Sequence, residues 1–164
     1  MHRNRARTGF SLVEMMIVIA IILIIVTVAL PKLNRSRMYA QETAALQAIQ
    51  ALNIAEALYN STFGHFADSL AQLGPSASGT PSESAADLIS GDLAGGEKQG
   101  YRFTLRATPA GYGISAVPIF PGSTGSRSFY SDQTQVLRES HGHRPASANS
   151  PEVGAAAAKA AGRN

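Results

Sequence analysis

The chain has no cysteine among its 164 residues. No disulfide can form, so packing, hydrogen bonding or a bound ion must hold the folded part together. Acids are missing from residues 1–9, which carry Arg3, Arg5 and Arg7. Charge is nearly missing from the next 21 residues, 10–30, where Glu14 is the only charged side chain. Glycine and proline are absent from 32–60, and beyond Leu30 no second apolar run is long enough to cross a bilayer. No G-x-S-x-G string marks a nucleophile elbow, and no pair of catalytic acids stands out. An enzyme is not expected. Nor is there an internal repeat.

What is present begins with that apolar run. Twenty-one residues at 1.5 Å each match a bilayer core of about 30 Å. The arginines before it set the orientation, with the N-terminus in the cytoplasm by the positive-inside rule. Pro31 and Lys32 close it, instead of the small-residue cleavage pattern of a secretory signal. Glu14 is the misfit, because an acid within hydrocarbon costs about 2.5 to 3.5 kcal/mol. A plain single-pass anchor gives it no purpose. The formal net charge is +3, from 14 Lys plus Arg against 11 Asp plus Glu. Residues 1–9 hold three of those arginines, so without them the balance is even. General electrostatic attraction to nucleic acid is therefore not expected.

Gly9-Phe10-Ser11-Leu12-Val13-Glu14, followed by the apolar stretch and Pro31, resembles the class III signal of type IV prepilins and type II secretion pseudopilins. The resemblance covers about a sixth of the chain. It implies cleavage between Gly9 and Phe10 by a prepilin peptidase, and methylation of the new amino terminus of Phe10 by the same enzyme. It implies that Glu14 pairs with the terminal amine of a neighbouring subunit and sets assembly register, and that Pro31 kinks the helix. The implied function is a structural subunit of a type IV pilus, processed, inserted in the bacterial inner membrane and polymerised into a helical filament. The alternatives are a type II secretion pseudopilin and a non-polymerising membrane-anchored binding protein. Implied partners are other pilin subunits, the peptidase/N-methyltransferase, an inner-membrane platform protein and the membrane itself, with a cytoplasmic ATPase acting indirectly. The final location would be an extracellular pilus or a periplasmic pseudopilus. Many type IV pilins staple a C-terminal loop with a disulfide, and this chain departs from that pattern.

The expected fold is α+β. A long N-terminal helix packs its second half on a small antiparallel sheet of three or four strands. The divisions are a leader at 1–9, a transmembrane and filament-core helix at 10–31, a globular domain at 32–140 and a disordered tail at 141–164. Within the globular part, an amphipathic helix at 32–60 precedes an αβ-loop at 61–100 and a sheet at 101–140. Ala45, Ile49, Leu52, Ala55 and Tyr59 recur at spacings of three and four, the seam for the sheet. Gln41, Glu42, Gln47, Gln50 and Asn53 are assigned to the other side. Short helices are expected within 66–73 and 85–93. Tyr101, Phe103 and Leu105 alternate with Arg102, Thr104 and Arg106, and Tyr112, Ile114 and Ala116 continue the pattern in a second strand. A final hairpin, 126–130 with 134–138, is expected to turn at Ser131, Asp132 and Gln133.

Four further strings invite chemistry. Gly111-Tyr112-Gly113-Ile114-Ser115-Ala116 fits the dinucleotide fingerprint as letters, but it alternates like a strand and runs towards Pro118, so no cofactor is expected. His141 and His143 are too few ligands for a zinc site without cysteine. Asp132 is a calcium candidate by comparison with major pseudopilins, which hold calcium near the C-terminal sheet. Its spacing is not an EF-hand loop, and a tight turn explains the same residues. Asn60-Ser61-Thr62 matches the glycan acceptor string, which is common by chance.

Overall fold

The computed structural model describes residues 10–77, 79–142 and 144–155. Leader residues 1–9, including Gly9, and also His143 lie outside the described residues. The chain divides into two compact units, Met1–Ser36 and Arg37–Asn164. One helix, α1 (Leu12–Phe63), runs through the boundary with Pro31 inside it. Good helix formers and the absence of Gly and Pro after residue 31 sustain its second half. Gly64 ends it: its N–H donates to the Asn60 carbonyl at 2.8 Å and its φ is +83°, the left-handed cap that glycine adopts without steric cost.

In the second unit, two one-turn helices follow, α2 (Leu70–Leu73) and α3 (Gly91–Ala94). A five-stranded antiparallel sheet comes next, in the order β1 (Glu97–Lys98), β2 (Tyr101–Thr108), β3 (Gly111–Pro118), β4 (Arg127–Asp132) and β5 (Arg138–His141). β1 is only two residues long and lacks a sequence signal. The central register places Phe103 opposite Ala116 and Leu105 opposite Ile114. This pairing turns Tyr101, Phe103, Leu105, Tyr112, Ile114 and Ala116 to one buried face. Ala45, Ile49, Leu52, Ala55 and Tyr59 of α1 join that core, so the seam expected from the spacing is the buried one. Each such large apolar side chain contributes about 1.5 to 3 kcal/mol on burial.

The final hairpin differs from the expected one. Asp132 Oδ1 accepts the Thr134 N–H at 2.9 Å and the Thr134 hydroxyl at 2.6 Å, while the Gln135 N–H donates to the Asp132 carbonyl. Those bonds lengthen the turn, and β5 begins at Arg138 instead of Thr134. The stretch assigned to the tail also divides. Residues 144–155 run beside β5: the Glu139 N–H donates to the Pro151 carbonyl, the Val153 N–H to the Leu137 carbonyl, and Ala146 is buried. Residues 156–164 lie outside the described residues.

Candidate functional site

In the first unit, every large apolar side chain from Phe10 to Leu33 is exposed. This stretch supplies the one helix segment, among the described residues, that is long and apolar enough to cross a membrane. Its backbone is satisfied along the helix, as a lipid setting requires. Besides Glu14, the polar side chains between Phe10 and Leu30 are Ser11 and Thr27. Thr27 satisfies its hydroxyl internally, donating to the Ile24 carbonyl at 2.8 Å. Glu14 sits in the first turn of α1, where the helix dipole favours an acid. It makes no hydrogen bond or ion pair among the described residues.

The second unit is fastened by three polar junctions. In the first, Glu42 of α1, 1 % exposed, meets the start of β4. Its Oε1 accepts the Ser126 N–H at 2.7 Å and the Ser126 hydroxyl at 2.8 Å. Its Oε2 accepts Arg127 Nε at 2.9 Å and Nη2 at 2.7 Å. Arg127 Nη1 donates to Glu139 Oε2 of β5 at 2.7 Å, so one guanidinium ties α1, β4 and β5 together. Burial raises the Glu42 pKa, but the hydrogen bonds from Ser126 and Arg127 outweigh it and hold the carboxyl below its ordinary value.

The second junction is neutral. Asn53 Nδ2 donates to Ser131 Oγ at 3.0 Å and its Oδ1 accepts the Tyr112 hydroxyl at 3.1 Å. The third is Glu56, fully buried, whose Oε2 accepts the Ala67 N–H at 3.0 Å. Its Oε1 has no partner. Burial pushes its pKa up to about 7 from 4.5. Glu42 and Asn53, assigned to the polar side of α1, thus lie inside. Glu42, Ala45, Ile49, Leu52, Glu56 and Tyr59 share one three-and-four spacing, and that period was the signal that could have placed both acids.

The remaining sequence candidates take structural positions. Gly111 and Gly113 lie in β3; a Cβ on Gly111 would meet Gln133 Cβ at 2.9 Å, and one on Gly113 the Tyr130 hydroxyl at 3.1 Å. The letters of the fingerprint therefore serve close approach between strands. Asp132 is occupied in the turn after β4, and no group of three or more His, Cys, Asp or Glu that could hold a metal occurs among the described residues. His141 is exposed at the end of β5.

Residues 4–30 match the family model described as the prokaryotic N-terminal methylation motif. No curated protein and no solved structure is matched by the chain. The match spans Phe10, Glu14 and the exposed apolar face together. At its N-terminus the chain thus carries, on a helix of membrane length, the methylation motif typical of prepilins and pseudopilins.

Proposed function

We propose that this chain is the structural subunit of a type IV pilus. A prepilin peptidase cleaves after Gly9 and methylates Phe10, and the 10–30 segment resides in the inner membrane. Subunits then leave the membrane for a helical filament whose core is made of these segments. The observation that carries the reading is the wholly exposed apolar helix interrupted by one unpartnered acid, Glu14, within the matched motif. In lipid, dispersion between helices supplies cohesion, and in the filament the hydrophobic effect adds to it. Glu14 supplies register: an unpaired buried charge is costly, so docking is favoured where Glu14 meets the amine of Phe10 on another subunit.

Mass spectrometry of the protein from its native membrane tests the reading. The expected mature chain begins at N-methylated Phe10, and Gly9→Val leaves the full-length precursor. A mature terminus elsewhere overturns the proposal. Filaments containing the chain outside the cell are expected; confinement to the periplasm would assign it to a secretion pseudopilus instead.

A further inference from the structure

We propose that Glu56 is a proton-operated latch on the 64–69 segment, which the protonated carboxyl pins to α1 through Ala67 and the ionised carboxylate releases. This inference is independent of the filament reading. Glu56 is fully enclosed, and its one hydrogen bond leads to the Ala67 N–H. That bond fastens a segment which makes few others to the helix. The segment borders an open groove of about 520 Å³, lined by Asn60, His65, Asp68 and the turn between β2 and β3. There is room for it to move outward.

The protonation state of Glu56 decides how well it is housed. Oε2 receives the Ala67 N–H, so the proton resides on the unpartnered Oε1. Once the proton leaves, a full negative charge sits in an apolar enclosure with one donor. No cation compensates it. From α1 it is faced by Tyr59, from the 64–69 segment by Asp68, and from β3 by Tyr112, whose other charged neighbour is Asp132. Asp68, the charge that acts on it, has the same sign. His65 is engaged with Glu83 at 2.8 Å, and the Tyr59 hydroxyl donates to the Glu83 carbonyl. Swinging the segment out admits water to the carboxylate, and this relieves the desolvation.

The direction follows from linkage. A group whose closed-state pKa is raised above the open-state value contributes fully below the latter and loses that contribution as pH rises to the former. Here the window runs from 4.5 to about 7. Opening should become up to about tenfold easier per pH unit across it, roughly fortyfold between pH 5 and pH 7, and level off above. The protonated form of His65 is likewise favoured, by the Phe66 carbonyl and Glu83, which raises its pKa. It too loosens with rising pH, so it must be controlled.

Hydrogen exchange on the full chain in detergent micelles reads the latch directly. The expected result is that the Ala67 amide is less protected than Ile114 in the centre of β3. Its protection factor should fall about fortyfold from pH 5 to pH 7 in His65→Gln, at least as far in the wild type, and stay flat in the double variant His65→Gln/Glu56→Gln. A fall that persists in the double variant overturns the proposal. Equal protection of Ala67 and Ile114 at every pH also overturns it, because the segment then opens only with the whole domain. Should the double variant not fold, a ¹³C titration of the wild-type Glu56 carboxyl decides: a midpoint near 7 that tracks Ala67 protection supports the latch, and one near 4.5 refutes it.

Discussion

Replacing Glu42 by Gln alters a few atoms and should cost the second unit about 3 kcal/mol. In the wild type, one carboxylate accepts four hydrogen bonds within 2.9 Å, two from Ser126 and two from Arg127. The amide keeps a carbonyl for Ser126 but turns an NH₂ towards Arg127 Nε and Nη2, donor against donor. Breaking a buried ion pair by removing one partner costs about 3 to 5 kcal/mol. The lower figure applies here, because the Arg127 side chain is 23 % exposed and keeps Glu139. For a domain of this size the loss corresponds to a fall in melting temperature of roughly 10 to 15 °C. Denaturant unfolding of a fragment beginning at Lys32, followed by near-ultraviolet circular dichroism, measures it. The pH dependence supplies a second check. The Glu42 carboxyl is held below its ordinary value, so its contribution is present above the unfolded pKa of 4.5 and is lost as pH falls through the folded value. The gap between wild type and Glu42→Gln should therefore close in acid. A loss below 1 kcal/mol at neutral pH, or an undiminished gap at pH 2, would show that the junction does not fasten α1 to the sheet.

Glu14→Ala should be cleaved and inserted as well as the wild type or better, since an acid leaves the hydrocarbon, yet fail to form filaments unless wild-type subunits are present; homopolymeric filaments seen by electron microscopy would remove Glu14 from assembly. The fragment beginning at Lys32 should be soluble and folded, because the seam of α1 and the buried strand face are both retained; aggregation on size exclusion would contradict a self-sufficient second unit. Its melting temperature should ignore reductant, there being no cysteine to reduce.

Where a residue's polarity and its position in the period agreed, the sequence was legible. Ile49, Leu52 and Tyr59 announced the buried seam, and Tyr101, Phe103 and Leu105 announced the inward face of β2, because apolar side chains at spacings of three to four or two have one way to leave water. Glu42, Asn53 and Glu56 obey the same helical period but carry polar groups. The period could place them inside, but the partners that satisfy them lie up to 85 residues away and are not read from it. The start of β5 was displaced by a turn that Asp132 and Thr134 build between them. The 144–155 stretch is rich in Pro, Ala and Ser, and is held largely through its backbone groups, so it has no apolar signature. Glu14 was legible for the opposite reason: a lone charge in an apolar run stands out wherever it occurs.

The stretch beside β5 has a consequence for how the sheet could meet another chain. An open sheet has two edges, and each is a row of unpaired N–H and C=O groups on which another chain can add a strand. Here the β5 edge is already taken by residues 151–153, which pair with Leu137, Arg138 and Glu139. The opposite edge, β1, is two residues long and carries Glu97 and Lys98, too short and too charged to template an extension. Strand addition is blocked where residues 151–153 lie on β5, while at the other end β1 covers only Tyr101 and Arg102 of β2. At the β5 edge another chain is left with side chains to touch, a contact that can be made and undone without the near-irreversible pairing of a shared sheet.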